Sequence, residues 1–387
     1  MMKNLNTLGA VTVGAIVLSV FYAVSVHDRS VDISMDTGEG QSVHHIVNND
    51  RSEFTLKDDD RTIKAKWRGD FELDDLGTNI IDVERRLEIE IKEDGVTERI
   101  EFEHEGDNLA KTYYLDGKEQ EAGPETDKAI SALITKFLRI SGLKAEDRVT
   151  ALLKSKGPAA VLEEMAHLKG DYAVRRYTVA LTEQADLSAD NITALAGILA
   201  RMESDHDLRL ALSAVLEHET ISADMTPVLL DAAKSIESDH DMRKLLEAFT
   251  KGALSEDAMD IALGFYERLE SDHDLRQAAD AFLSNGALTL PQTARLLTIA
   301  ADKIDSDHDM RLILSESAPM FSKDENVTRA WLQAFDAIES SHDQRLALES
   351  IADYIDGEPE LIAAYHTAAA KIESDHERAS ALEAIGD

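Results

Sequence analysis

Two hydrophobic rhythms divide the chain. In the first third, apolar residues recur at every second position. Ile63, Ala65 and Trp67 alternate with Lys64, Lys66 and Arg68; Leu87, Ile89 and Ile91 alternate with Glu88, Glu90 and Lys92; Ile100 and Phe102 alternate with Glu101 and Glu103. A period of two predicts half-buried strands. Asp94-Gly95 predicts a two-residue hairpin turn, which would pair positions summing to 189. Ile89 then faces Ile100 and Leu87 faces Phe102, while Glu90 faces Arg99 and Arg86 faces Glu103. Apolar pairs share one face and opposite charges the other, as a correct register requires. Asp116-Gly117 predicts a second hairpin after Tyr113–Leu115. Residues 51–122 therefore read as a small antiparallel sheet with one face covered. The covering element is a helix over Asp127–Ile140, whose stripe is Ile130, Leu133, Ile134, Phe137 and Leu138.

Beyond Gly123-Pro124 the spacing becomes helical to the end of the chain. Lys144–Leu153 and Pro158–Leu168 form a shorter pair, so 123–169 read as connecting or capping helices. From Gly170 a phrase takes over. Ser-Asp-His-Asp-x-Arg stands at Ser204–Arg209, Ser238–Arg243, Ser271–Arg276 and Ser306–Arg311, with looser copies at Gly170–Arg175, Ser340–Arg345 and Ser374–Arg378. The second positions, 171, 205, 239, 272, 307, 341 and 375, are 33 to 35 residues apart. Such a fixed period signals stacked repeats. Each phrase follows one apolar run (Ile192, Leu195, Ile198, Leu199, Met202) and precedes another (Leu208, Ala211, Leu212, Val215, Leu216). It reads as a tight turn between two helices, with Gly, Ser, Asp and Pro marking looser links such as Gly252–Asp257 and Asp356–Glu360. Ser204 and Asp205 are both allowed as the helix N-cap. Asp205 and Arg209, four apart, can pair for roughly 0.2–0.5 kcal/mol. The fold class is thus α+β: a small antiparallel β-sheet module followed by an α-solenoid of helix-turn-helix repeats over 170–387.

At the other end, Leu8–Val26 is uncharged, with Lys3 before it and Asp28, Asp32 and Asp36 after it. About 20 apolar residues can span a bilayer, and the basic side should stay cytoplasmic. Residues 1–27 are therefore a signal anchor, or a signal peptide cut near Ala23-Val24-Ser25. The bulk is expected in the periplasm, on the inner membrane or secreted to that space. Val31–Asp50 is polar, with Gly38 and Gly40, so 28–50 read as a flexible linker. His44-His45 within it reads as incidental.

The strand turn Tyr113–Glu119 (YYLDGKE), Lys156–Ala159 (KGPA), Gly170–Arg176 (GDYAVRR) and the (S/G)D(Y/H)xxR repeats resemble exported, uncharacterised bacterial envelope proteins with a β-rich N-terminal module. Related repeats occur C-terminal to BlaR1-type membrane metallopeptidases. The resemblance covers Arg51 to the C-terminus and implies an extracytoplasmic sensing or interaction module. The chain departs from the peptidase-fused forms. It has one membrane segment, and its nearest string to a zinc-protease motif, His218–Ser222 (HETIS), lacks the second His.

Composition narrows the chemistry. Cysteine is absent, so disulfides, thiolate metal sites and cysteine nucleophiles are excluded. The net charge of −36 argues against nucleic acid and against anionic lipid surfaces. No Gly-rich phosphate loop, nucleophile elbow or Ser/His/Asp set stands out, so no catalytic residue and no cofactor are expected. The candidates that remain are in phase: His206, His240, His273, His308, His342 and His376. A zinc site needs ligands about 2 Å from the ion, whereas equivalent positions in stacked repeats lie about 10 Å apart. The alternative is that each His packs its ring in the turn. Arg209, Arg243, Arg276, Arg311 and Arg345 either present a basic stripe to a carboxylate-bearing partner or pair with Asp in their own turn or the next. Trp67 and Trp331 read as core residues. The expectation is a membrane-tethered scaffold or sensor that binds another envelope protein on the concave face of its solenoid. The alternatives are a divalent-cation sensor using the SDHD turns and, behind it, a hydrolase with an unrecognised site.

Overall fold

The computed structural model describes residues 30–386 apart from 37–41, 49, 59–60, 75–76, 106–107, 219–224, 253 and 285–287. The membrane segment read at Leu8–Val26 lies outside the described residues. Among those residues, no helix is long and apolar enough to cross a membrane. The chain divides into two compact units that part between Asp186 and Leu187, which places the first, weak copy of the phrase at Gly170 in the unit with the sheet.

Among the described residues, ten strands precede the helices: β1 Ser30–Asp36, β2 Ser42–Asn48, β3 Arg51–Asp58, β4 Arg61–Arg68, β5 Phe71–Leu73, β6 Ile80–Val83, β7 Arg86–Glu93, β8 Val96–Glu105, β9 Asn108–Leu115 and β10 Lys118–Glu119. Eight form one antiparallel sheet in the order β1-β2-β3-β4-β7-β8-β9-β10, and β5-β6 make a separate hairpin. The β7–β8 register pairs Ile89 with Ile100 and Glu90 with Arg99, as the Asp94-Gly95 turn predicts. Asp94 (φ 51°) and Gly95 (φ 79°) both take positive φ, and so do Asp116 (φ 48°) and Gly117 (φ 76°), the requirement of a twist-matched two-residue turn. The row His45, Phe54, Ala65, Ile89, Ile100 and Tyr113 crosses six strands on the core face, every member buried.

One expectation is corrected here. The stretch read as a flexible linker, 28–50, contains β1 and β2, paired from Ser30↔Asn48 to Asp36↔Ser42. The pattern was masked because a histidine occupies a core position. His45 is 4 % exposed, with its ring 5.6 Å from Trp67 and 6.3 Å from Phe54. Burial, seconded by the positive charge of Arg176, holds its pKa down at about 4 against an ordinary 6.5. A base whose folded-state pKa is depressed contributes stability that is intact above the unfolded pKa and is lost as pH falls through that value toward the folded one. Acidifying from pH 7 to pH 5 should therefore cost the sheet unit about 2 kcal/mol more in the wild type than in His45→Phe. Denaturant titrations followed by Trp67 emission, in a Trp331→Phe background, would measure this. Equal acid sensitivity of the two proteins would refute it.

Helix α1 (Pro124–Ser141) covers the sheet. Ile130, Leu133, Ile134, Phe137 and Leu138 are all buried and join Leu87, Ile89, Ile91, Ile100 and Phe102 in one core. Its C-cap Gly142 has φ 63°, and a Cβ there would lie 3.0 Å from the Ala173 Cα, so only glycine fits without a shift. Three further helices complete this unit: α2 (Ala145–Lys156), α3 (Pro158–Met165) and α4 (Asp171–Gln184).

The second unit is six helix pairs: α5 (Ala189–Leu199) with α6 (Asp205–His218), α7 (Thr226–Ala232) with α8 (Asp239–Phe249), α9 (Glu256–Tyr266) with α10 (Asp272–Ser284), α11 (Leu290–Lys303) with α12 (Asp307–Ser317), α13 (Glu325–Asp336) with α14 (Ser341–Ile351), and α15 (Pro359–Ala369) with α16 (Asp375–Glu383). First helices pack on first helices of the next pair and second on second, which is the arrangement of a helical repeat array. Its core includes fully buried Trp331, whose indole stacks on Phe335 at 5.9 Å and donates to the Leu314 carbonyl at 3.0 Å.

Candidate functional site

The phrase is the start of every second helix. Its serine is the N-cap: Ser204, Ser238, Ser271, Ser306, Ser340 and Ser374 each accept a hydrogen bond from the backbone N–H three residues on, at 3.3–3.4 Å. This satisfies one of the donors that a helix N-terminus leaves open. The serine register prevails because the first aspartate is occupied elsewhere.

That aspartate reaches to the next repeat. Asp205 Oδ2 accepts from the backbone N–H of Glu237 (3.0 Å) and Ser238 (2.7 Å). Asp239 Oδ2 does the same for Glu270 (2.9 Å) and Ser271 (2.7 Å), and Asp307 accepts from Glu339 through Oδ1 (2.9 Å) and from Ser340 through Oδ2 (2.8 Å). Asp272 accepts from Ser306 N–H at 2.8 Å. Each turn therefore caps the turn that follows it. The expected pairing of Asp205 with Arg209 is not among the described bonds: the carboxylate takes two backbone donors, and Arg209 takes Asp241. Where Ser341 replaces the aspartate, only one weaker bond survives, from Ser374 N–H at 3.2 Å.

The arginine and the second acid form the other half of the join. Arg209 Nε donates to Asp241 at 2.6 Å, Arg243 to Asp274 at 2.5 Å, and Arg311 to Asp343 at 3.1 Å; Arg276 pairs with Asp309 at 3.0 Å. Arg345 pairs with Glu377, the acid that stands in for aspartate in the last copy. Bonds four residues on brace three of them: Arg243 to Glu247 (2.5 Å), Arg276 to Asp280 (2.5 Å) and Arg345 to Glu349 (2.7 Å). Burial acts to raise the pKa of Glu247, but bonds from Lys244 and Arg243 outweigh it and hold the carboxyl below its usual range. The arginines are thus bonded to the next repeat and do not form a free basic stripe.

The histidines take a role the residue pattern did not suggest. In His206, His240, His308 and His342, ring Nδ1 accepts from Nη2 of the arginine three residues on, at 3.0–3.3 Å. Arginine has only donors, so this nitrogen carries no proton in that bond. The rings are not packed away, as one reading of the sequence expected: the side chains of His206 and His342 are 42 % and 61 % exposed. His273 and His376 are exposed too, and Arg276 uses Asp280 and Asp309. Among the described residues no three His, Asp or Glu side chains are placed to hold one metal ion.

The sheet unit holds a second polar cluster that the sequence reading missed. Glu164 on α3 accepts a bidentate pair from Arg139 (2.9 and 2.8 Å) and a third bond from Arg148 Nη2 at 2.7 Å. Arg148 is 3 % exposed and also donates to the Gly77 carbonyl at 2.7 Å and to the Tyr177 hydroxyl. Burial would raise the Glu164 pKa, but the two guanidiniums prevail and hold it down. Burial pushes the Tyr177 phenol up. No spacing rule would have joined these residues, which come from four helices and a loop. No family model, curated protein or solved structure matches the chain.

Proposed function

We propose that the chain is an interaction scaffold, held outside the cytoplasmic membrane by its Leu8–Val26 segment, whose helical array binds another envelope protein. The observation that supports this reading is the repeated join between successive turns. Every second helix is tied to the next by an arginine–acid pair, and most by an aspartate bonded to backbone amides. A surface fixed in this way loses little freedom on binding, which favours recognition. The net charge of −36 suits a basic partner and disfavours nucleic acid.

Photo-crosslinking in intact cells tests both halves of the proposal. A crosslinker is placed in turn at the exposed positions Lys244, Glu316 and Arg329 of the array. One protein should be captured from neighbouring positions, and external protease should digest the chain in spheroplasts but not in whole cells. Absence of any adduct with the chain intact would refute the scaffold. Protection of the chain in spheroplasts would refute its placement.

A further inference from the structure

The outer face of the sheet carries an arrangement that local pairing does not explain. The registers Asn48↔Arg51, Arg51↔Arg68 and Arg68↔Arg86 set three arginines side by side across β3, β4 and β7, with the Asn48 amide at the end of the row. Directly opposed like charges destabilise a sheet. Other rows on this face mix the two signs, as in Glu53–Lys66–Glu88–Glu101 and Lys64–Glu90–Arg99, although Glu88 and Glu101 also oppose each other. The arginine row sets three cations in register, in a molecule of net charge −36.

The charges around the row do not cancel it evenly. Arg86 is well supplied, with Glu88 at 3.3 Å, Glu101 at 3.2 Å and Glu103 at 3.0 Å. Arg68 shares one carboxylate, that of Asp50, with Arg85, at 3.3 and 2.8 Å respectively. Lys66 is 3.4 Å from Glu53. Arg51 is exposed and makes none of the described ion pairs or side-chain hydrogen bonds. Arg51, Arg68, Arg86, Asn48 and Lys66 line an open groove of about 400 Å³, whose wall also includes Glu53 and Glu88. Neighbouring strands lie about 4.8 Å apart, so the guanidiniums of Arg51 and Arg68 can converge on a single tetrahedral oxyanion. Arginine forks match such an anion with paired N–H donors.

We propose that this row is a phosphate site: Arg51 and Arg68 hold the anion, Arg86 lends charge from the next strand, and the Asn48 amide adds a neutral donor. The phosphate comes either from a small soluble phosphate compound or from the headgroup of an anionic lipid, since both present the same oxygens.

The full chain is titrated with inorganic phosphate at constant ionic strength, with chloride as the control, while arginine Nε–Hε signals are followed by NMR. Saturable shifts confined to Arg51, Arg68 and Arg86 are expected. Arg51→Gln/Arg68→Gln should weaken binding by about tenfold or more. Lys64→Gln, on the same face outside the groove, should leave it unchanged. An unaltered melting temperature certifies that the variants fold. A flotation arm uses vesicles of phosphatidylcholine with phosphatidylglycerol. Flotation lost in the double variant assigns the phosphate to a lipid, whereas saturable shifts without flotation assign it to a soluble compound. Non-saturating shifts spread over all arginines, or shifts and flotation both unchanged in the double variant, would overturn the site.

Discussion

Glu164→Leu is expected to cost the sheet unit about 3–5 kcal/mol, because it strands a buried guanidinium. Arg148 would keep only the Gly77 carbonyl and the Tyr177 hydroxyl as acceptors, both uncharged. A side chain 4 % exposed cannot recover by turning to water. Arg139 would lose both of its bonds as well, but its side chain is 31 % exposed and can resolvate, so most of the loss belongs to Arg148. Adding Arg148→Met to Glu164→Leu should restore much of the stability, since replacing both members of a buried pair by apolar groups is often near neutral. The two tryptophans fall one in each unit, so a Trp331→Phe background lets Trp67 report the sheet unit alone. Denaturant midpoints for the single and double variants decide the matter. A loss under about 1 kcal/mol for Glu164→Leu would show that the cluster is already solvated.

In the array the largest effect is expected at Arg243. Its side chain is 7 % exposed and holds Asp274, itself 12 % exposed, along with Glu247 and the ring of His240. Arg243→Ala leaves Asp274 buried without its counter-charge and should cost about 3–5 kcal/mol. The equivalent change at Arg311, where both partners are 16 % exposed and no acid braces the arginine four residues on, should cost clearly less. Because each repeat contacts only its neighbours, the loss should be local. Hydrogen exchange should quicken most in α8 and α10 and at the amides of Glu270 and Ser271, while α14 keeps its protection. Uniform acceleration along the unit would mean that the array unfolds as one block and that the join has no local energy of its own.

Much of the architecture was legible, and the reasons are specific. The Asp94-Gly95 turn and the charge alternation about it suffice for the β7–β8 register, because a one-residue slip would turn Ile89 and Leu87 to water. The helical stripe of α1 was equally plain. β1 and β2 were missed although Val31, Ile33 and Met35 alternate with polar residues, because Gly38, Gly40 and the His44-His45 pair obscure the period. A histidine at an inward position reads as loop until its neighbours Phe54 and Trp67 are in place. The roles of the two acids in the phrase could not be separated locally. Ser204 and Asp205 are equally good caps by residue type, and what decides between them is a pair of amides 32 and 33 residues further on. Likewise the partner of Arg209 lies 32 residues away, while a suitable acid stands four residues away and is not used.

The joins also run in one direction. A turn offers its first carboxylate and its guanidinium forward, and receives backward through its amides and its second carboxylate. Donor and recipient groups come from the same six residues and the one before them, so repeats that keep the full phrase fit behind one another. Such a chain can grow or shrink by whole modules through unequal recombination without inventing a new contact, whereas an insertion of a few residues inside a module would put both halves of a join out of step. Length is then a quantity that whole-module changes can vary in this unit, and the exposed span of the array would scale with it.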